Sequence, residues 1–271
     1  MRRRILSLLL LFIFVGQATI LAAPPPPKVD AEAALLMVAG TRRVLYSVNA
    51  DAIMYPASTT KIMTLLVALE RGDLSSIVTI SARAAGCDGS SLGLRAGDRL
   101  TLGDLLTGMM LVSGNDAAEA VAEHIAGSVP AFVELMNARA EKMGLTKTHF
   151  SNPHGLPEPV NHYTTASELA RITAQGLQNP EFARIVATRN YTVPFLNRAA
   201  VRVTSTNKLF KTYPAANGVK TGYTEAAGDC LVASARRGGV QLIVVLLNDD
   251  ERWTDATHLL DYGFAVAAGG Q

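Results

Sequence analysis

Cysteine is scarce in this sequence. Cys87 and Cys230 are the only two in 271 residues, and they form no C-x-x-C pair. That excludes a thioredoxin-like dithiol and a thiolate-clustered zinc site. In an oxidising compartment the two could form one bridge, and two separate thiols fit equally well. None of the five histidines (His124, His149, His154, His162 and His258) stands in an H-E-x-x-H pattern, so no metalloprotease helix is present and no metal is expected. Beyond Arg4 there is no block of Lys and Arg, which removes nucleic acid and anionic membranes as expected partners. No internal repeat interrupts the chain. No apolar run reaches the ~20 residues that a spanning helix needs.

What is present at the N-terminus is a shorter apolar run. Arg2, Arg3 and Arg4 precede Ile5 to Val15, and Ala22-Ala23 stand just before Pro24. A basic start, a short apolar stretch and small residues at a cleavage point mark a secretory signal over residues 1–23. An uncleaved anchor is the alternative. Export makes the charge balance of the whole chain misleading: without those three arginines, 22 basic residues face 23 acidic ones. A proline-rich linker, residues 24–29, leads into one unit over residues 30–271.

Periodicity outlines that unit. "AALLMVA" and "VLYSV" flank the turn-like "GTRR", which predicts a β-hairpin. Ser58 to Glu70 reads as a helix apolar on nearly every side, hence central and buried. Helices are predicted on both sides of "SGND", after Ser128 up to about Met143, after a capping box at Thr165-Ala166-Ser167-Glu168 up to about Ala174, and after Asn179-Pro180. Then the period changes to two. "AVRVTST", "GVKTGYT", "DCLVASA" and "VQLIVVLL" read as strands, the last two joined across Arg236 to Gly239, and "ERWTDATHLLDYGF" closes the chain as a helix. This order predicts an α/β unit in which N- and C-terminal strands pair in one sheet, with a helical block on one side.

Three short motifs carry chemistry. Ser58-x-x-Lys61 opens the central helix, where residues three apart share a face and a first-turn N–H is left unpaired. A capping serine with a snorkelling lysine would look the same. Ser205-x-x-Lys208 repeats the spacing in a strand end or loop. Ser113-Gly114-Asn115 joins two helices. Lys220-Thr221-Gly222 ends a strand, where glycine lets another backbone approach, although an edge-strand lysine also deters aggregation. Gly89-Ser90-Ser91-Leu92-Gly93 matches G-x-S-x-G but lacks the strand and helix of a nucleophile elbow. Pro153 and Gly155 put His154 in a turn, as a loop histidine with local hydrogen bonds.

The ordered set Ser-x-x-Lys, Ser-x-Asn and Lys-Thr-Gly resembles that of penicillin-binding proteins and class A β-lactamases. With "MYPASTTKIMT", "SSLGLRAGD", "NPHGL", "STNKL" and "GVKTGYTEAAGDCLVASA", the chain is similar to low-molecular-mass penicillin-binding proteins, the serine D-alanyl-D-alanine carboxypeptidases, from about Ala34 to Phe264. The resemblance implies their β-lactamase/DD-peptidase fold, no cofactor, a peptidoglycan stem peptide ending in D-Ala-D-Ala as partner, and β-lactams as covalent inhibitors. It implies Ser58 as nucleophile, Lys61 as base and Ser113 as proton carrier. Asn115, Lys220, Thr221, Gly222, Tyr223 and Arg252 would bind substrate, with Ser58 and Tyr223 N–H groups forming the oxyanion hole. Lys220 would read the substrate's carboxylate and lower the pKa of Lys61. A DD-endopeptidase, a β-lactamase and a non-catalytic penicillin-binding sensor share the motifs. The deacylating acid of class A β-lactamases has no clear match, Glu158 being the nearest candidate.

Overall fold

A computed structural model describes residues 24–157 and 161–268. The signal-like residues 1–23, and Glu158, lie outside the described residues. The first described residues run beside the last helix: Pro24, Pro25, Pro27 and Lys28 share a crevice with His258, Asp261 and Tyr262. The chain then enters the hairpin β1 (Ala33–Val38) and β2 (Val44–Val48). A 3-10 turn (Ala57–Thr60) runs directly into α1 (Lys61–Arg71). Next come β3 (Ile77–Thr79), α2 (Ala82–Ala85), β4 (Arg99–Thr101), α3 (Leu102–Val112), α4 (Asn115–Ala126), α5 (Val129–Lys142), α6 (Ala166–Gly176) and α7 (Pro180–Val186). The C-terminal part is β5 (Asn190–Val193), β6 (Val201–Thr204), α8 (Leu209–Thr212), β7 (Ala216–Thr224), β8 (Gly228–Arg237), β9 (Val240–Leu247) and α9 (Arg252–Ala268).

The main sheet has the order β2-β1-β9-β8-β7 and is antiparallel throughout. The predicted pairing of N- and C-terminal strands is therefore present. Both faces are covered, which explains why "VQLIVVLL" is apolar at every position after Gln241 and does not alternate. Leu35, Met37, Ile243 and Val245 point to the helical block, whereas Ala34, Leu36, Val244 and Leu246 pack with Leu259 and Leu260 of α9. The last helix thus forms a third layer, beyond the one-sided arrangement expected from sequence. Gly238 and Gly239, at φ 54° and 81°, make the two-residue turn between β8 and β9 that such positive dihedrals allow.

Three local expectations are adjusted. Ser58 sits in the 3-10 turn, ahead of the α-helix. "AVRVTST" supplies β6, which pairs with β5 in a separate ribbon outside the main sheet. Thr165 caps α6 by accepting from Glu168 N (3.1 Å), but the Glu168 carboxylate turns to Lys147 N (3.1 Å) instead of closing the capping box. The cysteines do not pair: Cys230 is buried on β8 and Cys87 is half-buried in the loop after α2. No helix among the described residues is long and apolar enough to cross a membrane.

Candidate active site

The site begins where the 3-10 turn meets α1. Ala57 adopts φ 46°, an uncommon value for alanine, and this aims Ser58 out of the turn. The turn is clamped from below: Thr60 Oγ1 donates to Ala57 O (2.8 Å) and so accepts from His162 Nε2 (2.8 Å). His162 Nδ1 accepts from Ser151 N (3.1 Å), and burial drops its pKa to about 3, so the ring is a neutral strut.

Lys61 is fully buried, one helical turn from Ser58. Its Nζ lies 3.0 Å from Ser58 Oγ, 2.7 Å from Asn115 Oδ1 and 2.9 Å from His154 O. Burial holds its pKa well below the ordinary lysine value, and the Lys220 charge lowers it further. A neutral amine has two N–H donors and one lone pair. Asn115 Oδ1 and the His154 carbonyl accept the two protons, which leaves the lone pair for the Ser58 hydroxyl.

Asn115 opens α4, immediately after a sharp turn. Ser113 ends α3 in the left-handed region (φ 64°), a conformation that costs a non-glycine residue about 1–2 kcal/mol. The Asn115 amide is fixed from two sides, its N donating to Ser90 O (2.6 Å) and its Nδ2 to Asp88 O (2.8 Å). The 88–94 loop that offers those carbonyls is held by buried Asp116, which accepts from Leu92 N (2.9 Å), Leu94 N (3.0 Å) and Ser91 Oγ (2.6 Å). The G-x-S-x-G match therefore belongs to this supporting loop.

The opposite wall is the edge strand β7. A Cβ on Gly222 would come within 3.1 Å of both Ser58 N and Ala57 Cβ, so only glycine lets the strand lie so close to the nucleophile turn. Thr221 Oγ1 shares a 2.7 Å hydrogen bond with Thr206 Oγ1, and Tyr223 is 63% exposed at the rim. Arg252, the first residue of α9, donates to Gly222 O (2.8 Å) and Cys230 O (3.2 Å) and pairs with Asp229 (3.1 Å). Ser58, Ser113, Thr221, Gly222, Tyr223 and Arg252 line one cleft of about 290 Å³.

Lys220 departs from expectation. A lysine on an edge strand was expected to present its charge to substrate, yet its side chain is 1% exposed and its Nζ donates to Thr221 O (2.8 Å). Burial, then the Arg252 charge, lowers its pKa to about 7. Its charge is felt by Lys61, whose pKa it lowers.

His154, which by its sequence setting is a loop histidine, lends its backbone carbonyl to Lys61. Its ring accepts from Leu156 N at Nδ1 (3.2 Å), so the proton sits on Nε2, 3.4 Å from Glu119 Oε1. Cys87, Glu119 and His154 bring their ligand-type atoms within 4.8 Å of one another. The protonated Nε2 and an Arg83–Glu119 contact of 3.4 Å suit a hydrogen-bonded support better than a cation site.

Comparison with known proteins gives the family. The family profile described as D-alanyl-D-alanine carboxypeptidase (Peptidase_S11) matches residues 19–251. The chain belongs to the D-alanyl-D-alanine carboxypeptidase family. It is 37% identical over 244 residues to the D-alanyl-D-alanine carboxypeptidase DacF of Bacillus subtilis, covering 87% of this chain and 62% of that protein. To DacC of Escherichia coli it is 37% identical over 272 residues, covering 93% of this chain and 66% of the other. Among solved structures, the Streptomyces K15 DD-transpeptidase superposes with a TM-score of 0.85 at 34% identity, over 89% of this chain and 100% of that one. The family fold, an antiparallel sheet with a helical block, is thus shared, while this family member spans less than two thirds of the DacF length.

Proposed function

We propose that this chain is an exported serine DD-carboxypeptidase that removes the terminal D-alanine from peptidoglycan stem peptides through an acyl-enzyme on Ser58. The observation that carries the reading is the placement of a buried, neutral-leaning Lys61 amine 3.0 Å from Ser58 Oγ, with its other two hydrogen-bonding positions occupied. A serine hydroxyl is a weak nucleophile until an adjacent base takes its proton. Lys61 takes it as Oγ bonds to the penultimate D-alanine carbonyl carbon. The resulting oxyanion would sit between the N–H groups of Ser58 and Tyr223, each such donor contributing about 2.7–4 kcal/mol. Ser113 relays a proton to the departing D-alanine nitrogen as the C–N bond breaks. Water then attacks the acyl carbon and Ser58 leaves, with Lys61 moving the protons in reverse.

Asn115 holds the base and offers its amide to the substrate peptide. Lys220, Thr221 and Arg252 supply positive potential and a hydroxyl for the free carboxylate. The same residues would open a β-lactam ring and retain the acyl product. The signal-like residues 1–23 support export to the cell-wall space, with residues 24–29 as linker and 30–271 as the catalytic domain. The test is D-alanine released from diacetyl-Lys-D-Ala-D-Ala by the mature chain. Penicillin labelling without D-alanine release would instead favour a sensor, and rapid cephalosporin turnover a β-lactamase.

A further inference from the structure

The cleft has a third cation that the three motifs leave unused. Lys208, from the second Ser-x-x-Lys of the sequence, lines the cleft with Ser58, Thr221 and Arg252. Its backbone is held firmly. Buried Asn207 donates from Nδ2 to Gly218 O (3.0 Å) and accepts from Leu209 N (3.0 Å). Next to it, Thr206 is hydrogen-bonded to Thr221 (2.7 Å). The exposed Lys208 side chain carries its Nζ over the Trp253 ring, 5.7 Å from the centroid, and the Arg252 guanidinium lies 5.0 Å from the same ring. At such distances an indole face attracts a cation and limits where it wanders.

The three cations around this wall differ in what already occupies them. Lys220 is buried and bonded to the Thr221 carbonyl. Arg252 is half-buried, its Nη1 serving two carbonyls and Asp229 while its Nε is buried without a partner. Lys208 has no acidic partner among the described residues. Lys208 is the exposed one of the three, so an incoming anion meets its ammonium with only water to displace.

The geometry points to Lys208 as a specificity-determining residue that captures the free C-terminal carboxylate of the substrate at the cleft mouth. This rests on the carboxypeptidase reading. The carboxylate displaces only water from an exposed ammonium, so the attraction speeds and favours binding without touching the reacting atoms. It acts on KM, and salt screens it.

The test compares wild type with Lys208→Met, Lys208→Glu and Lys208→Arg on diacetyl-Lys-D-Ala-D-Ala as free acid and as C-terminal amide, at low and high salt. With the acid peptide, Lys208→Met is expected to raise KM about two- to five-fold with kcat unchanged, the range for an exposed charge pair. Lys208→Glu should raise it more, Lys208→Arg should keep the wild-type value, and the differences should close in high salt. KM for the amide should stay unchanged in all three. Equal changes on acid and amide, or none on the acid, would overturn the assignment. If wild type releases no D-alanine, the carboxypeptidase reading has failed, and Lys208 is then judged by acylation rates with benzylpenicillin and its methyl ester. Slower acylation of Lys208→Glu by the acid alone upholds the role, and equal rates with both reagents overturn it.

Discussion

Lys61 Nζ stands 3.0 Å from Ser58 Oγ while fully removed from solvent, and that pairing makes a serine and a lysine into a nucleophile and its base. Ser58→Ala should abolish covalent labelling by a fluorescent penicillin, with the acylated peptide of wild type mapping to Ser58. Lys61→Arg should fail by a similar margin, since arginine cannot give up its proton. Labelling that survives in Ser58→Ala, or maps to Ser91 or Ser205, would refute the assignment.

The pH dependence should follow the two buried lysines. Activity requires neutral Lys61, so kcat/KM should rise with pH through the Lys61 pKa, which burial and Lys220 keep low. Lys220→Ala removes the neighbouring cation, and the acidic limb should move to higher pH. Lys220, with its pKa at about 7, loses charge as pH climbs past neutrality, so KM for a free-acid peptide should increase there in wild type only. An unmoved acidic limb in Lys220→Ala would show that the two amines are not coupled.

Gly222→Ala places a methyl group 3.1 Å from Ser58 N and from Ala57 Cβ. The edge strand or the nucleophile turn must yield by a few tenths of an ångström. Misplacement by 1 Å can cost about a hundred-fold, and a ten- to hundred-fold loss of acylation rate is expected here, with far-ultraviolet circular dichroism unchanged. A rate within two-fold of wild type would mean that the approach is not tight.

With penicillin, the acyl-enzyme should persist. Lys61 is held by Asn115 and a backbone carbonyl, and no carboxylate among the described residues hydrogen-bonds to Ser58 or Lys61. Intact-mass measurement should find the adduct long after free penicillin is removed. Quick return to the unmodified mass would point to an acid outside the described set, and Glu158→Gln would be the next variant.

The turn leading into α9 holds a buried acid, Asp249, whose Oδ2 has no partner. Burial, with Asp255 adding to it, raises its pKa to about 7 from an ordinary 3.8. Between these values the unfolded chain has released a proton that the folded chain still binds, so this group's contribution to stability falls as pH rises and is fully lost above about 7. Asp249→Asn should therefore melt higher than wild type at pH 8, and the gap should close toward pH 4. A gap that does not change with pH would refute this account.

Much of this arrangement could be read from sequence, for reasons that differ by residue. Ser58 and Lys61 are three apart, and helical geometry alone brings them together. Strands β8 and β9 were legible from apolar runs with glycines between them. Asn115 reaches Lys61 across 54 positions, a distance only the motif order could bridge. The His154 contribution is a backbone carbonyl, which leaves no mark on residue type. The 3-10 turn depends on Ala57 at φ 46°, a conformation that alanine does not advertise. Lys220 looked like an exposed edge lysine because sequence does not reveal that the nucleophile turn packs over β7.

The position of β1 between β2 and β9 constrains how this protein comes to be folded. Its outer neighbour follows within a short turn, but its inner neighbour begins only at Val240, far along the sequence. Until β9 is available, Leu35, Leu36 and Met37 have no central strand to rest against, and contacts so distant in sequence form slowly. The sheet cannot close on a partly delivered chain. A polypeptide built this way keeps its main sheet open, and its nucleophile turn without the β7 wall beside it, until the strands β7 to β9 have been made.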